Sequence, residues 1–448
     1  MTELAPSGDV TLAGGSVFRE GRFAPAEIAI SGGRIVEVAP RVTRRGEVID
    51  VAGSAVLPGL LDVHVHFREP GLERKEGWAH GSRGALHGGV TSVLEVQNNP
   101  PLTVSLARLE EREAIVRNAS RVDYGLFANL LPESAGALAE LAPRTPAFKL
   151  FMGGSTGMSG VSDYGALRDL FRAAAAAGRP VVVHAEEESI LARDMPRHAA
   201  SAAEHHLARS VEAETVSISA AIELAAATRA SLHVFHVSTG RGADQVAQAR
   251  ASGIDVTAST GPHYLLLTHE DVALAGNAMK CNPSVKTARD RDRLRERVAD
   301  GTIAAIGTDH APHPIEEKRR PYAEAPSGLP SVDLALPLLL AIADGAGIPF
   351  ARLVDSMAEG AARCFGVGRK GCIAPGHDGD LVVVNLEAER AVRGEELPSR
   401  SRWSPYEGRT LRGYPTLVLR RGEVAFRAGA FPDLSPSERV ELDPPQPR

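Results

Sequence analysis

Three cysteines in 448 residues, Cys281, Cys364 and Cys372, are too few for a disulfide framework and fit a reducing compartment. Long hydrophobic runs are missing too: the longest, LALPLLLAIA at 334–343, falls well short of the roughly 20 apolar residues that span a bilayer. Basic residues are in deficit, with 50 Lys and Arg against 56 Asp and Glu and a net charge of −6. That balance offers no basic face for nucleic acid and disfavours anionic membranes. The opening residues MTELAPSGDV carry neither the basic nor the apolar region of a signal peptide. The expectation is a soluble, cytoplasmic protein.

What is present divides the chain into two textures. Residues 9–57 alternate short β-like runs with glycine turns, as in DVTLAGGSVF, AEIAI and RIVEV. The same texture returns in DLVVVNL (380–386) and LVLRRGEVAF (417–426). Two β-rich ends around a different middle predict one small β-sandwich domain assembled from residues 1–57 and 375–448. The tail FPDLSPSERVELDPPQPR is Pro-rich and polar, and is expected to be loosely held.

The middle, residues 58–374, alternates apolar runs with Ala- and Arg-rich helical stretches such as ALRDLFRAAAAAG. Eight runs can be counted: LLDVHVH (60–66), VTSVLEV (90–96), YGLFANL (124–130), AFKLFMG (147–153), PVVVHAE (180–186), SLHVFHVS (231–238), IDVTAST (254–260) and TIAAIGTDH (302–310). Continuously apolar strands alternating with helices indicate parallel βα units, and eight of them predict an α/β fold of the (β/α)₈ TIM-barrel type. An open doubly wound sheet is the rival. It explains less well why polar residues gather at the C-terminal ends of the runs, where a barrel builds its site.

Those polar residues carry the chemistry. His64 and His66 stand two apart, so strand alternation points them the same way, with Asp62 and Arg68 in register. Two histidines so spaced at a strand end suit a metal better than a packed core. Lys149, His184, His236 and Asp309 occupy the ends of runs four, five, six and eight. Lys149 lies between Phe148 and Leu150, and a buried ammonium is unfavourable unless paired or chemically altered. Carbamylation by CO₂ would convert it into a carboxylate able to bridge two metals.

With these residues in view, the sequence resembles the cyclic amidohydrolases, and among them the dihydroorotases most closely. The resemblance spans nearly the whole chain, through PGLLDVHVHFREPG (58–71), FKLFMGGSTG (148–157), VVVHAE (181–186), HVFHVST (233–239), GTDHAPH (307–313), APSGLP (325–330) and WSPYEG (403–408). It implies two Zn²⁺ ions bridged by carbamylated Lys149, with His64, His66 and Asp309 on one and His184 and His236 on the other. It also implies that Asp309 is the general base and then acid of a ring-opening hydrolysis. Arg68 and Asn98 would grip a substrate carboxylate, with His313 and Asn282 as further substrate contacts.

Dihydroorotate carries such a carboxylate, whereas hydantoins, dihydropyrimidines and allantoin do not, so HFREPG favours the dihydroorotase branch and its role in pyrimidine biosynthesis. Cyclic amides of those other kinds are the alternative substrates. A catalytically silent scaffold for a transcarbamoylase is the alternative of another class, but it would be marked by lost ligands and none is lost. A homodimer is expected on base rates alone.

The chain departs from the branch at Val96-Gln97-Asn98, where many dihydroorotases read MPN, and at CNPSVK after Lys280. GVGRKG (366–371) fits GxGxxG but follows a helix-like ARCF rather than a strand, so it is not a dinucleotide loop. The sequon at Asn118 means little without a secretion signal. His205, His206, Arg209 and Glu214 read equally as a charged active-site flank or a solvated helix face.

Overall fold

In a computed structural model, residues 9–198 and 200–448 are described; the opening residues 1–8, read above for a signal peptide, lie outside them. Each of the eight apolar runs supplies one parallel strand: Leu60–Val65, Val90–Glu95, Asp123–Leu126, Phe148–Phe151, Val181–His184, Leu232–Val234, Val256–Thr260 and Ala305–Ile306. Strands one to three pair in sequence, as do four to eight, and Ala128–Asn129 joins the third to the fourth. The circle closes where His66 N donates to His310 O at 2.8 Å beside a Val65–His310 bridge. Strands of this kind read as unbroken apolar runs because helices cover one face while side chains fill the barrel on the other.

The first strand does not keep the simple alternation. Leu61 and Val63 pack in one cluster with Phe127, Val182 and Phe235, yet His64 also stacks on Phe235 with ring centroids 4.0 Å apart. The switch coincides with a register irregularity against strand two between Asp62 and Val65. Asp62 is therefore not beside the histidines as expected. Its carboxylate accepts from Thr308 N (3.0 Å), Thr308 Oγ1 (2.5 Å) and His64 N (3.1 Å), tying strand one to the residues after strand eight.

Strands from both ends of the chain form one eight-stranded sheet, folded into a sandwich around Leu12, Val17, Ile28, Ile30, Val56, Leu381 and Leu419. The long strand Val10–Arg19 is interrupted between Leu12 and Gly15, so its first half pairs with Glu47–Asp50 and its second with Ala55–Pro58. Ala55–Pro58 in turn pairs antiparallel with Leu381–Val384, which is where the two ends of the chain interleave. Among the described residues, no helix is long and apolar enough to cross a membrane.

The tail is not loosely held. Val440 is buried in the barrel-floor cluster with Phe365 and Val367, and its N–H donates to Tyr124 O at 2.8 Å. Further along, Gln446 N donates to Gly178 O at 2.9 Å. A polar, Pro-rich composition concealed this because backbone hydrogen bonds do much of the anchoring, with Val440 and Leu442 adding apolar contact.

The GVGRKG segment follows the helix Glu359–Phe365, whose C-cap Gly366 has φ 59°, and no strand precedes it. Its Lys370 is instead an ionic hub between barrel and sandwich. Nζ lies 2.7 Å from Asp123, 2.9 Å from Asp378 and 2.8 Å from Asp380. Burial alone would lower the ammonium pKa; Asp123, Asp380 and Asp378 reverse this and hold it above its ordinary range. Lys370→Met would remove the cation shared by three buried carboxylates, leaving Arg369 on Asp378 and Arg420 and Arg421 near Asp123. The expected loss of stability is on the order of 3–5 kcal/mol, measurable by chemical denaturation. A variant as stable as the parent would show that the hub contributes nothing.

Candidate active site

The polar strand ends converge as the sequence suggested. Asp309 Oδ1 lies 3.5 Å from His64 Nε2 and 3.3 Å from His66 Nε2, and these three buried residues form a group able to hold a metal ion. His66 Nδ1 is 2.8 Å from Val96 O, a carbonyl that can only accept, so the ring is oriented with Nε2 free to ligate. Opposite, His184 Nδ1 and His236 Nε2 approach to 3.0 Å. His64, His66, Lys149, His184, His236 and Asp309 all line one pocket together with Arg68, Asn98 and Asn282.

Lys149 sits among them only 1% exposed, its Nζ without a hydrogen-bond partner and lying 4.5 Å from the Phe235 ring and 4.7 Å from that of Phe151. Burial pushes its ammonium down to about 7, against the opposing pull of Asp309. Burial and neighbouring charges likewise hold His64 and His236 well below the ordinary imidazole range. Neutral imidazoles, an aspartate and three orphaned buried nitrogens (His64 Nε2, Lys149 Nζ, His236 Nδ1) are a donor set that fits divalent metal.

Backbone geometry at the site is unusual. Arg68, His236 and Asp309 have φ of 66°, 40° and 49°, a left-handed region that residues other than glycine seldom adopt. Such conformations persist where the surrounding structure enforces them, and they recur at active sites. Arg68 thus reaches the pocket from a turn beyond the end of strand one. Gly71 makes that turn possible: it has φ 108°, and a Cβ there would lie 2.4 Å from Pro100 O, against the loop that bears Asn98.

Arg68 is 3% exposed. Its Nη1 donates to Asn98 Oδ1 at 2.6 Å, and its Nη2 lies 3.3 Å from His313 Nε2. It does not pair with Glu69 or Glu73, whose carboxylates accept from Trp78 N and Gly71 N. Burial lowers the guanidinium pKa to about 10 while Asp309, Glu95, Glu76 and Glu317 pull it back, so it stays charged near neutral pH. Gln97, which departs from the common MPN pattern, braces its own loop by donating to Pro70 O at 3.0 Å and Asn99 O at 2.9 Å.

The ambiguous histidine segment proves to be a flank of the site. Arg209 is buried, pairs with Glu186 and donates to Gly154 O at 2.6 Å, while Glu186 Oε2 lies 2.9 Å from His184 Nε2. His205 is buried with Nε2 3.1 Å from Asn282 Oδ1 and Nδ1 2.6 Å from Tyr322 Oη. Glu214 is buried and accepts from Ser238 N and Thr239 N at 3.0 Å, whereas His206 is only half-buried. Sequence reasoning missed Glu186, Ser155, Thr156 and Lys75 as parts of the site; only the first, two residues after His184, carried a usable signal.

Residues 55–424 match the model of the amidohydrolase family. The chain belongs to that family. Like this amidohydrolase, its relatives are of similar length: an allantoinase of Rubrobacter xylanophilus is 38% identical over 435 residues, covering 94% of this chain and 95% of that one. A dihydroorotase of Halobacterium salinarum is 37% identical over 405 residues, covering 85% and 92%. Among solved structures, an L-hydantoinase (dihydropyrimidinase) from Arthrobacter aurescens gives a TM-score of 0.92 at 28% identity, over 97% of this chain and 100% of that one. The amidohydrolase described here is thus a hydrolase of cyclic amides with a barrel and a sandwich. Allantoinase and dihydroorotase relatives stand at nearly equal identity, so kinship does not single out the dihydroorotases as the motifs alone suggested.

Proposed function

We propose that this cyclic amidohydrolase is a dihydroorotase, hydrolysing the ring amide of (S)-dihydroorotate to N-carbamoyl-L-aspartate and closing it in reverse. One observation carries the reading: a buried guanidinium in the pocket that donates to Asn98, approaches His313 and pairs with no acidic side chain. Burying a cation without a counter-charge is unfavourable, and a ligand carboxylate supplies that charge in the geometry a guanidinium prefers. Asn98 accepts from Arg68 through Oδ1, which leaves its Nδ2 to donate to the same ligand.

In this reading His64, His66, Asp309 and carbamylated Lys149 would hold one zinc ion, and Lys149, His184 and His236 would hold the other. When bound, the pair supplies Lewis-acid polarisation of the scissile carbonyl and a hydroxide near neutral pH. Asp309 takes the proton of the attacking water on a carboxylate oxygen and delivers it to the departing ring nitrogen. Arg68, Asn98 and His313 orient the ring through its carboxylate, and Asn282, which lines the same pocket, contacts it too. Glu186 fixes the ring of His184, and Arg209 ties Glu186 to the loop at Gly154.

The test is a substrate panel on metal-replete protein. Dihydroorotate should exceed allantoin, hydantoin and dihydrouracil in kcat/KM. A preference for allantoin, the reading that the Rubrobacter relative favours, would overturn it. Arg68→Met sharpens the test. Truncating a buried charged hydrogen bond typically costs on the order of 2–5 kcal/mol, so kcat/KM for dihydroorotate should fall at least roughly 30-fold. Zinc content should be unchanged, and any turnover of a neutral ring should fall little. Equal losses on charged and neutral rings would make Arg68 structural.

A further inference from the structure

Two contacts of His313 fix where its ring proton resides. Nδ1 lies 2.8 Å from Lys75 Nζ, and Nε2 lies 3.1 Å from Ser327 O. An ammonium can only donate and a carbonyl can only accept, so Nδ1 is bare and Nε2 carries the hydrogen. Lys75 is kept charged by Glu317 at 2.9 Å, itself paired with Arg74. Glu317 would favour the opposite tautomer if it reached Nδ1, but it is 3.6 Å away, beyond hydrogen-bond range. It follows that the 3.3 Å approach of Arg68 Nη2 to His313 Nε2 brings two donors together, and any anion placed against both would share the Nε2–H with Ser327 O. Such a pair is poised for an anion placed against both.

We propose that Lys75 is a positioning residue: by donating to Nδ1 it holds His313 as the Nε2–H tautomer, which makes His313 the partner of Arg68 in gripping the carboxylate of the ring substrate. The proposal rests on the dihydroorotase reading for its substrate, but not for the tautomer. Lys75 lies on the loop after strand one, does not line the pocket and acts only through His313. Replacing it by Met removes the donor that bars the proton from Nδ1; Ser327 O still favours Nε2–H, but Arg68 Nη2 favours a bare Nε2, whose lone pair would repel a carboxylate.

The experiment uses full-length, metal-replete protein labelled with ¹⁵N-histidine, with His313 assigned by its absence from the His313→Gln spectrum. In the parent, long-range ¹⁵N–¹H correlations should show a pyridine-type Nδ1 and a pyrrole-type Nε2, and Lys75→Met should move the proton toward Nδ1. The same substitution should raise KM for dihydroorotate at least roughly tenfold with a much smaller change in kcat, the pattern of lost uniform binding. Lys75→Arg, which still donates, should restore most of the loss. Glu317→Gln leaves Lys75 in place but less firmly held, and should shift the tautomer part-way if Lys75→Met fails to fold. A parent protein with the proton on Nδ1, or a Lys75→Met protein that keeps both the Nε2–H tautomer and its KM, would overturn the proposal. The Nε2–H tautomer in a protein that ignores dihydroorotate would uphold the role of Lys75 on His313 and defeat the substrate reading alone.

Discussion

Lys149→Ala is expected to abolish turnover and to lose at least one metal ion per chain, measured together by assay and elemental analysis. Two features motivate this. The side chain is fully enclosed, with its nitrogen unpaired between two aromatic rings, and it lines the same pocket as four histidines and Asp309. An ammonium there would repel cations, whereas a carbamate would attract them. Short carboxylic acids such as acetate or propionate should restore part of the activity by occupying the vacated space. Full zinc occupancy in the alanine variant would rule out the bridging role, whatever its activity. Raising bicarbonate during reconstitution should increase metal uptake by the parent and leave the variant unmoved.

Asp309→Asn should preserve the fold and reduce turnover by about 10²–10⁴-fold, the range over which a positioned general acid–base acts. The aspartate stands within 3.5 Å of both His64 and His66, so in the proposed metal site its replacement would also weaken one metal contact. Separating the two effects requires kinetics at saturating zinc. A deficit that persists with the metal fully loaded belongs to proton transfer, and one that vanishes belongs to ligation. Turnover within a few-fold of the parent under both conditions would remove Asp309 from the proton path.

Much of the barrel was legible because its strands are buried on both faces, which leaves unbroken apolar runs between helical stretches. The polar side chains ending those runs were conspicuous for the same reason. Three things were not legible. The break in alternation at Val63–His64 depends on pairing with strand two and leaves no mark in the sequence. The burial of Arg209 and His205 depends on Gly154, Glu186 and Tyr322, which are distant along the chain. The contact of Lys75 with His313 joins residues 238 apart on two loops, where no periodicity operates.

The interleaving of the chain ends in one sheet has a consequence for biosynthesis. Val56 finds its partner Val383 only after the whole barrel has left the ribosome, about 330 residues later. At roughly 5–20 residues per second, the N-terminal strands wait on the order of 15–65 s with an unpaired edge. An exposed strand edge is a template for association with other chains. Nascent chains released before Leu381–Val384 emerges will therefore be the aggregation-prone species, and sandwich closure marks a completely translated molecule.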